Sequence, residues 1–211
     1  MSENCQLLCG VCKVGCFTIG KCICCSKDPP LPPAYNVICL GITNAGKSTL
    51  INTMTSENID NIVPTVGFAI KDIRLPNVIL KVKELGGAAN IRKFWSHYYD
   101  NIDGVIFVVD GMCSHDQLEE TKDEIHSALG HPKLKSIPWL LLCNKQDLEG
   151  ACTDERALEE LKLTEYVQQH VNVTVKSCSK TNRDNVLHCF QHFAIQLHNF
   201  YSLNEDCDNI L

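Results

Sequence analysis

GITNAGKS, Gly41 to Ser48, is the stretch that decides the fold. It fits the pattern G-x-x-x-x-G-K-[ST] and stands between an apolar run, YNVICL (Tyr35 to Leu40), and a segment with helical patterning from Lys47. A loop of this kind turns on its glycines so that successive amides face phosphate oxygens, and the following helix adds the partial positive charge of its N-terminus. Gly41 and Gly46 permit the turn, and Asn44, Ala45 and Thr49 complete the cradle. Lys47 neutralises the outer phosphate oxygens, and Ser48 offers its hydroxyl to Mg²⁺. The competing reading, a chance Gly-rich turn with an exposed lysine, does not account for the strand before it and the helix after it.

Outward from this loop, short apolar runs alternate with longer amphipathic ones. FAIKDIRL and VILKVKEL read as two strands around Pro76-Asn77, with a helix expected near Ile91 to Tyr99. GVIFVVD, PWLLLCN and VNVTVKS read as three more strands, separated by helices over Asp116 to Gly130 and near Asp154 to Leu161. A closing helix is expected from Asn185 to about Phe200. With YNVICL these make six strands, and the alternation implies an α/β fold: a mostly parallel sheet with helices on both faces. GVIFVVD and PWLLLCN are continuously apolar, as central strands require, whereas FAIKDIRL and VILKVKEL alternate, as suits a hairpin at a sheet edge.

The 211 residues suit one domain with short extensions, and 45% hydrophobic residues suffice for a core. A net charge of -6 argues against a nucleic-acid partner, which calls for a basic footprint. Pro29, Pro30, Pro32 and Pro33 form a stiff linker (29–33) between a Cys-rich head (1–28) and a globular domain (34–200). The acidic tail, 201–211, is expected to be loose beyond Leu203.

NKQD, Asn144 to Asp147, ends the strand PWLLLC, at the side of an open α/β sheet where ligands bind. A carboxylate there can accept from both the ring N–H and the amino group of guanine, a pair that adenine does not present. Lys145 can lay its stem along the base, while Asn144 can tie neighbouring loops together. Alone, such a tetrapeptide reads as a polar helix-capping loop; following a phosphate loop, it reads as a base-binding one. SCSK, Ser177 to Lys180, ends another strand and brings Cys178, Ser179 and Lys180 to the same side, with the Ser179 amide placed to read the guanine oxygen.

With these motifs and PTVGF (Pro64 to Phe68), the chain from about Tyr35 to Phe200 resembles an Arf-family small GTPase. The resemblance implies the P-loop small-GTPase fold, GTP and GDP as ligands, and Mg²⁺ held through Ser48 and Thr65, with Glu84 addressing it through water in a hold that its extra methylene must shift or tighten. It implies that Thr65 and Gly87 contact the terminal phosphate, so that losing this phosphate frees both loops. Where family members read D-x-G-G-Q, this chain has Glu84-Leu85-Gly86-Gly87-Ala88. Ala88 has nothing with which to orient an attacking water, so hydrolysis is expected to be weak or partner-dependent. Asn90 or His97 supplying the missing polar group is the alternative. A second functional alternative is a GTP-held scaffold that regulates a membrane protein and scarcely turns over; a third, an ATP-using enzyme, is opposed by Asp147. The aromatic triad with which Arf effectors engage falls here on Phe68, Lys83 and Tyr98. A lysine at its centre implies effectors and regulators distinct from those of standard Arf proteins.

Of the 14 cysteines, Cys5, Cys9, Cys12, Cys16, Cys22, Cys24 and Cys25 crowd the head. The others, as at Cys39, Cys143 and Cys178, suit free thiols packed as small hydrophobes in a reduced, intracellular domain. Ser2 stands where the family carries its myristoylated glycine. Palmitoylation at Cys22, Cys24 and Cys25, beside Lys21 and Lys27, would instead place the protein on the cytoplasmic face of Golgi, endosomal or plasma membranes. A zinc knuckle on Cys9 and Cys12 and an unmodified thiol-rich tail are the alternatives.

Overall fold

The strand that leads into the phosphate loop, β1 (Ala34–Leu40), lies inside a six-stranded sheet in the computed structural model of the protein. The described residues are 31–57, 63, 65–169 and 172–208, with backbone alone for 204–208. The acylation candidates Cys22, Cys24 and Cys25 lie outside them, as do the other head cysteines, Pro29, Pro30 and Pro64.

The remaining strands are β2 (Phe68–Arg74), β3 (Ile79–Leu85), β4 (Gly104–Asp110), β5 (Trp139–Asn144) and β6 (Val173–Ser177). The sheet order is β2-β3-β1-β4-β5-β6; β2 runs antiparallel to β3 and every other pair is parallel. β1 thus has β3 on one side and β4 on the other, which makes its C-terminal end the switch point of the sheet, where such folds bind ligands. The hairpin closes at Pro76-Asn77, with the Leu75 amide bonded to the Val78 carbonyl at 2.9 Å.

The helices are α1 (Lys47–Thr55), α2 (Ala89–Arg92), α3 (His115–Leu129), α4 (Asp154–Glu160), α5 (Thr164–Gln169) and α6 (Arg183–Asp208), with a 3₁₀ turn at Trp95–Tyr98. α3 starts on a capping box: the Ser114 hydroxyl accepts from the Gln117 amide, and the Gln117 side chain accepts from the Ser114 amide.

Alternation along β1 feeds two cores. Val37 and Cys39 pack in the cluster that holds Leu50 and Ile51 of α1 and Phe190, Phe193 and Leu197 of α6. Ile38 and Leu40 pack on the other side, with Trp95, Leu118, Ile125 and Leu129. β4 and β5 are buried at every position, because helices cover both of their faces.

Two expectations are corrected, and one helix goes beyond the sequence reading. The single helix over Ile91 to Tyr99 is instead a four-residue helix and a separate 3₁₀ turn. Ala88 has no side chain to cap the helix, so a turn this short gains little by itself. The break also buries Trp95 and Tyr99 while leaving Phe94 and His97 exposed. Secondly, α5 was not foreseen, because TEYVQQ carries no helical stripe; Tyr166 and Val167 pack against the second core. Thirdly, the tail is not loose from Leu203, since α6 continues to Asp208, extending the final helix by one backbone bond per added residue.

Candidate functional site

The phosphate loop is shaped by its glycines and by one asparagine from a distant strand. Gly46 sits at φ 97°, and a Cβ there would stand 2.1 Å from Asn144 Nδ2. That amide nitrogen donates to the Ala45 carbonyl at 2.8 Å, so the end of β5 grips the loop preceding α1. Gly41 and Asn44 also take positive φ, at 142° and 64°, which a short polar side chain tolerates at the second position. Lys47 is buried, and its ammonium donates to the carbonyls of Gly41 and Ile42 at 2.8 and 2.9 Å. Burial lowers its pKa. Asn44, Gly46, Lys47, Ser48 and Thr49 line one cavity together with Thr65, Glu84, Gly87 and Ala88.

Inside this cavity three oxygens meet. Thr65 Oγ1 donates to Glu84 Oε1 at 3.1 Å and lies 3.3 Å from Ser48 Oγ, which itself donates to Glu84 Oε1. Glu84 is 3% exposed. Two hydroxyls and a carboxylate, converging within one cavity, are a donor set suited to a hard cation such as Mg²⁺.

Gly87 fits only as glycine, since a Cβ there would stand 2.4 Å from the Ile42 carbonyl carbon. Neighbouring peptides hold it in place. Trp95 Nε1 donates to the Gly86 carbonyl at 3.0 Å, and the Gly86 amide donates to the Gly67 carbonyl at 2.9 Å. Across a trans peptide the carbonyl and amide point in opposite directions, so the Trp95 bond turns the Gly87 N–H away from the indole. Arg92 donates to the Gly87 carbonyl at 2.5 Å and pairs with Glu120 and, at 2.8 Å, with Glu124 of α3. Neither Trp95 nor Arg92 was singled out from sequence, since each acts on backbone atoms that only the folded loop brings within reach.

Ala88 lines the cavity and brings no polar side chain to it. Asn90 and His97 are exposed and are not among the lining residues; the His97 ring instead packs 5.9 Å from that of Phe94.

Asp147, Cys178 and Ser179 share a second depression at the ends of β5 and β6. The Ser179 hydroxyl donates to Asp147 Oδ1 at 2.5 Å and lies 2.7 Å from Thr181 Oγ1. That bond, more than any other influence, holds the Asp147 carboxyl below the usual range, with a smaller contribution from exposed Lys180. Lys145 takes a left-handed backbone at φ 66° and pairs with Asp110 Oδ2 at 2.6 Å. Asp110, at the end of β4, was not foreseen as a partner; it is buried and also accepts from the Met112 amide at 2.9 Å. Cys178 is buried, and desolvation raises its thiol pKa.

Outside the cavity, Phe68 and Tyr98 contact each other with ring centroids 5.4 Å apart, and Lys83 Nζ lies 5.7 Å from the Tyr98 centroid. Phe68 and Ile70 expose 49% and 61% of their surface, and Lys83 stands in register opposite Ile70, so the aromatic pair borders exposed apolar strand residues with a cation among them.

A phosphate loop at the switch point of a six-stranded sheet, joined through Asn144 to an Asp147 and Ser179 base-binding corner, defines a guanine-nucleotide-binding P-loop protein of the small-GTPase class. The model of the ADP-ribosylation factor (Arf) family matches residues 32–197, and the chain belongs to that family. It is 48% identical to human ADP-ribosylation factor-like protein 15 over 147 residues, covering 70% of this chain and 69% of that protein. Identity to ADP-ribosylation factor-like protein 3 from Caenorhabditis elegans is 38% over 141 residues, covering 65% of this chain and 75% of the relative. Among solved structures, the Arl6 BBS3 small GTPase from Trypanosoma brucei with bound GppNp is similar at a TM-score of 0.70 and 31% identity. The match covers 79% of this chain and 98% of that one. The protein is therefore a GTP-binding small GTPase of the Arf family.

Proposed function

We propose that the protein works as a GTP-held, magnesium-dependent switch whose hydrolysis is weak unless a partner supplies the missing group. The observation that carries this reading is Ala88, an apolar side chain on the wall of the phosphate cavity, with Asn90 and His97 exposed and outside it. Gly87 and Thr65 keep the means to sense the terminal phosphate; the group that would position water is what differs. Even small GTPases with that group turn over unaided at only about 10⁻⁴ s⁻¹. An activating partner with an arginine finger could restore the rate, and without one the protein acts as a scaffold held in its GTP form.

The Lys83 ammonium beside Tyr98 supports effectors and regulators other than those of standard Arf proteins, since an apolar partner surface would have to desolvate a cation there. Membrane attachment is assigned to the cysteine-rich head, with acyl chains on Cys22, Cys24 and Cys25, at the cytoplasmic face of Golgi, endosomal or plasma membranes. Two chains are needed for a stable hold.

Single-turnover hydrolysis of preloaded GTP, with and without cell extract, tests the central claim. Slow release of phosphate alone and acceleration in extract are expected; slow release in both conditions favours the scaffold. Fast unaided hydrolysis overturns the proposal.

A further inference from the structure

We infer that the uncovered face of the β2-β3 hairpin docks a partner protein through an acidic side chain flanked by apolar ones, with Lys83 selecting the acid. The inference rests on the reading above that this face meets partners other than standard Arf effectors. In an antiparallel pair, residues in register point to the same face, and every second residue of a strand shares it. The register of Ile70 to Lys83, Asp72 to Lys81 and Arg74 to Ile79 therefore places Phe68, Ile70, Asp72 and Arg74 on one face with Lys81 and Lys83. Ile73, Leu80 and Val82 point the other way, into the first core. Phe68, Ile70, Asp72, Arg74 and Lys81 are exposed and Lys83 is half-buried, so among the described residues nothing covers this face.

The charge here runs against that of the chain. The protein carries a net charge of -6, yet on this face Arg74, Lys81 and Lys83 stand with Asp72 as the one carboxylate. None of the three cations has an ion pair among the described residues, where the pairs are made by Lys71, Arg92, Lys122, Lys133, Lys145 and Arg156. Lys83 instead has the Tyr98 ring centroid 5.7 Å away and Ile70 opposite it. A partner that closes over Phe68 and Ile70 must strip water from that ammonium, and a carboxylate set against it offsets the loss. An anionic bilayer is a poorer match. Asp72 stands opposite Lys81 and would face the charge of the bilayer, and half-buried Lys83 is met by a projecting side chain rather than by a flat surface.

Selection of displayed random peptides on full-length, GppNp-loaded protein tests this, run in parallel on wild type and on Lys83→Glu. Wild type is expected to enrich peptides with an aspartate or glutamate between apolar residues, and Lys83→Glu to enrich lysine or arginine at that place. A peptide selected on wild type should bind Lys83→Glu on the order of tenfold more weakly by fluorescence anisotropy, and should lose affinity as salt is raised. Retention of GppNp shows that the variant is folded. Should it not be, the wild-type peptides decide alone, and enrichment of apolar peptides without carboxylates overturns the inference. It also falls if the selected peptides bind both proteins equally. Flotation with phosphatidylserine vesicles, or self-association in sedimentation velocity, that is lost in Lys83→Glu while no acidic peptide is enriched would assign the face to a membrane or to a second copy, and overturn it. A purified standard Arf effector that binds the GppNp-loaded wild type as tightly as it binds an Arf protein overturns the partner reading underneath; apolar peptides alone leave that reading standing.

Discussion

The Ser179 hydroxyl, bonded to Asp147, is the group at which base selectivity can be tested apart from phosphate binding. By donating to Asp147 it fixes the orientation of a carboxylate that is already ionised at neutral pH, and an oriented carboxylate is what the paired donors of guanine require. The sign is that of a depressed acid: the interaction is present above the ordinary carboxylate range and is lost only as pH falls through the lowered value. Ser179→Ala should therefore weaken GDP binding at neutral pH on the order of tenfold and narrow the preference for GTP over ATP. The melting temperature of the nucleotide-free protein should stay unchanged. Titration with fluorescent guanine and adenine nucleotides, alongside thermal melts, checks this. The motif residues themselves were legible, because Gly46 at positive φ and Lys47 beside it follow from the chemistry of a phosphate loop. The hydroxyl bond to Asp147 was not, because SCSK gives a role to the Ser179 amide and says nothing of its hydroxyl until β5 and β6 are placed side by side.

At the scale of elements, the segment from Gly86 to Tyr98 links the phosphate cavity to the exposed aromatic face. Trp95 fixes the peptide that carries the Gly87 amide, and Tyr98, three residues on, meets Phe68 at the surface. Trp95→Phe keeps the buried ring but removes the donor to the Gly86 carbonyl, a buried bond of about 1–3 kcal/mol once one partner is left unsatisfied. GTP should then dissociate several-fold faster while GDP dissociation is unaltered, as stopped-flow release of labelled nucleotides would show. Equal acceleration of both nucleotides would reduce Trp95 to a packing role. The strands of this region were legible because hydrophobic alternation and a Pro-Asn turn are local signals. The broken helix was not, since its break is set by where Trp95 and Tyr99 find buried space.

For the molecule as a whole, the face proposed to meet effectors borders the phosphate cavity at the end of β3, where Lys83, in register opposite Ile70, stands next to the cavity-lining Glu84. Capture on GTP-loaded protein is expected to recover proteins other than standard Arf effectors. Replacing Lys83 by a large apolar residue should raise the affinity of a standard Arf effector, measured by calorimetry with purified components; recovery of mainly standard effectors by the unaltered protein would refute the assignment. Saturation with nucleotide should also raise stability by about 2.7 kcal/mol at a hundredfold excess over Kd, an increment that Lys47→Ala should abolish in a thermal melt. The sequence by itself determined the sheet of six strands, the phosphate loop, the polar strand ends NKQD and SCSK, and an apolar side chain at Ala88, because each is written in local pattern and residue chemistry. Only the tertiary structure decided that Asn144 grips the phosphate loop, that Trp95 and Arg92 orient the Gly86-Gly87-Ala88 backbone, and that Glu84 reaches both hydroxyls. Those contacts join residues far apart in the chain or depend on the direction of a peptide plane, and neither is encoded in the spacing of any motif.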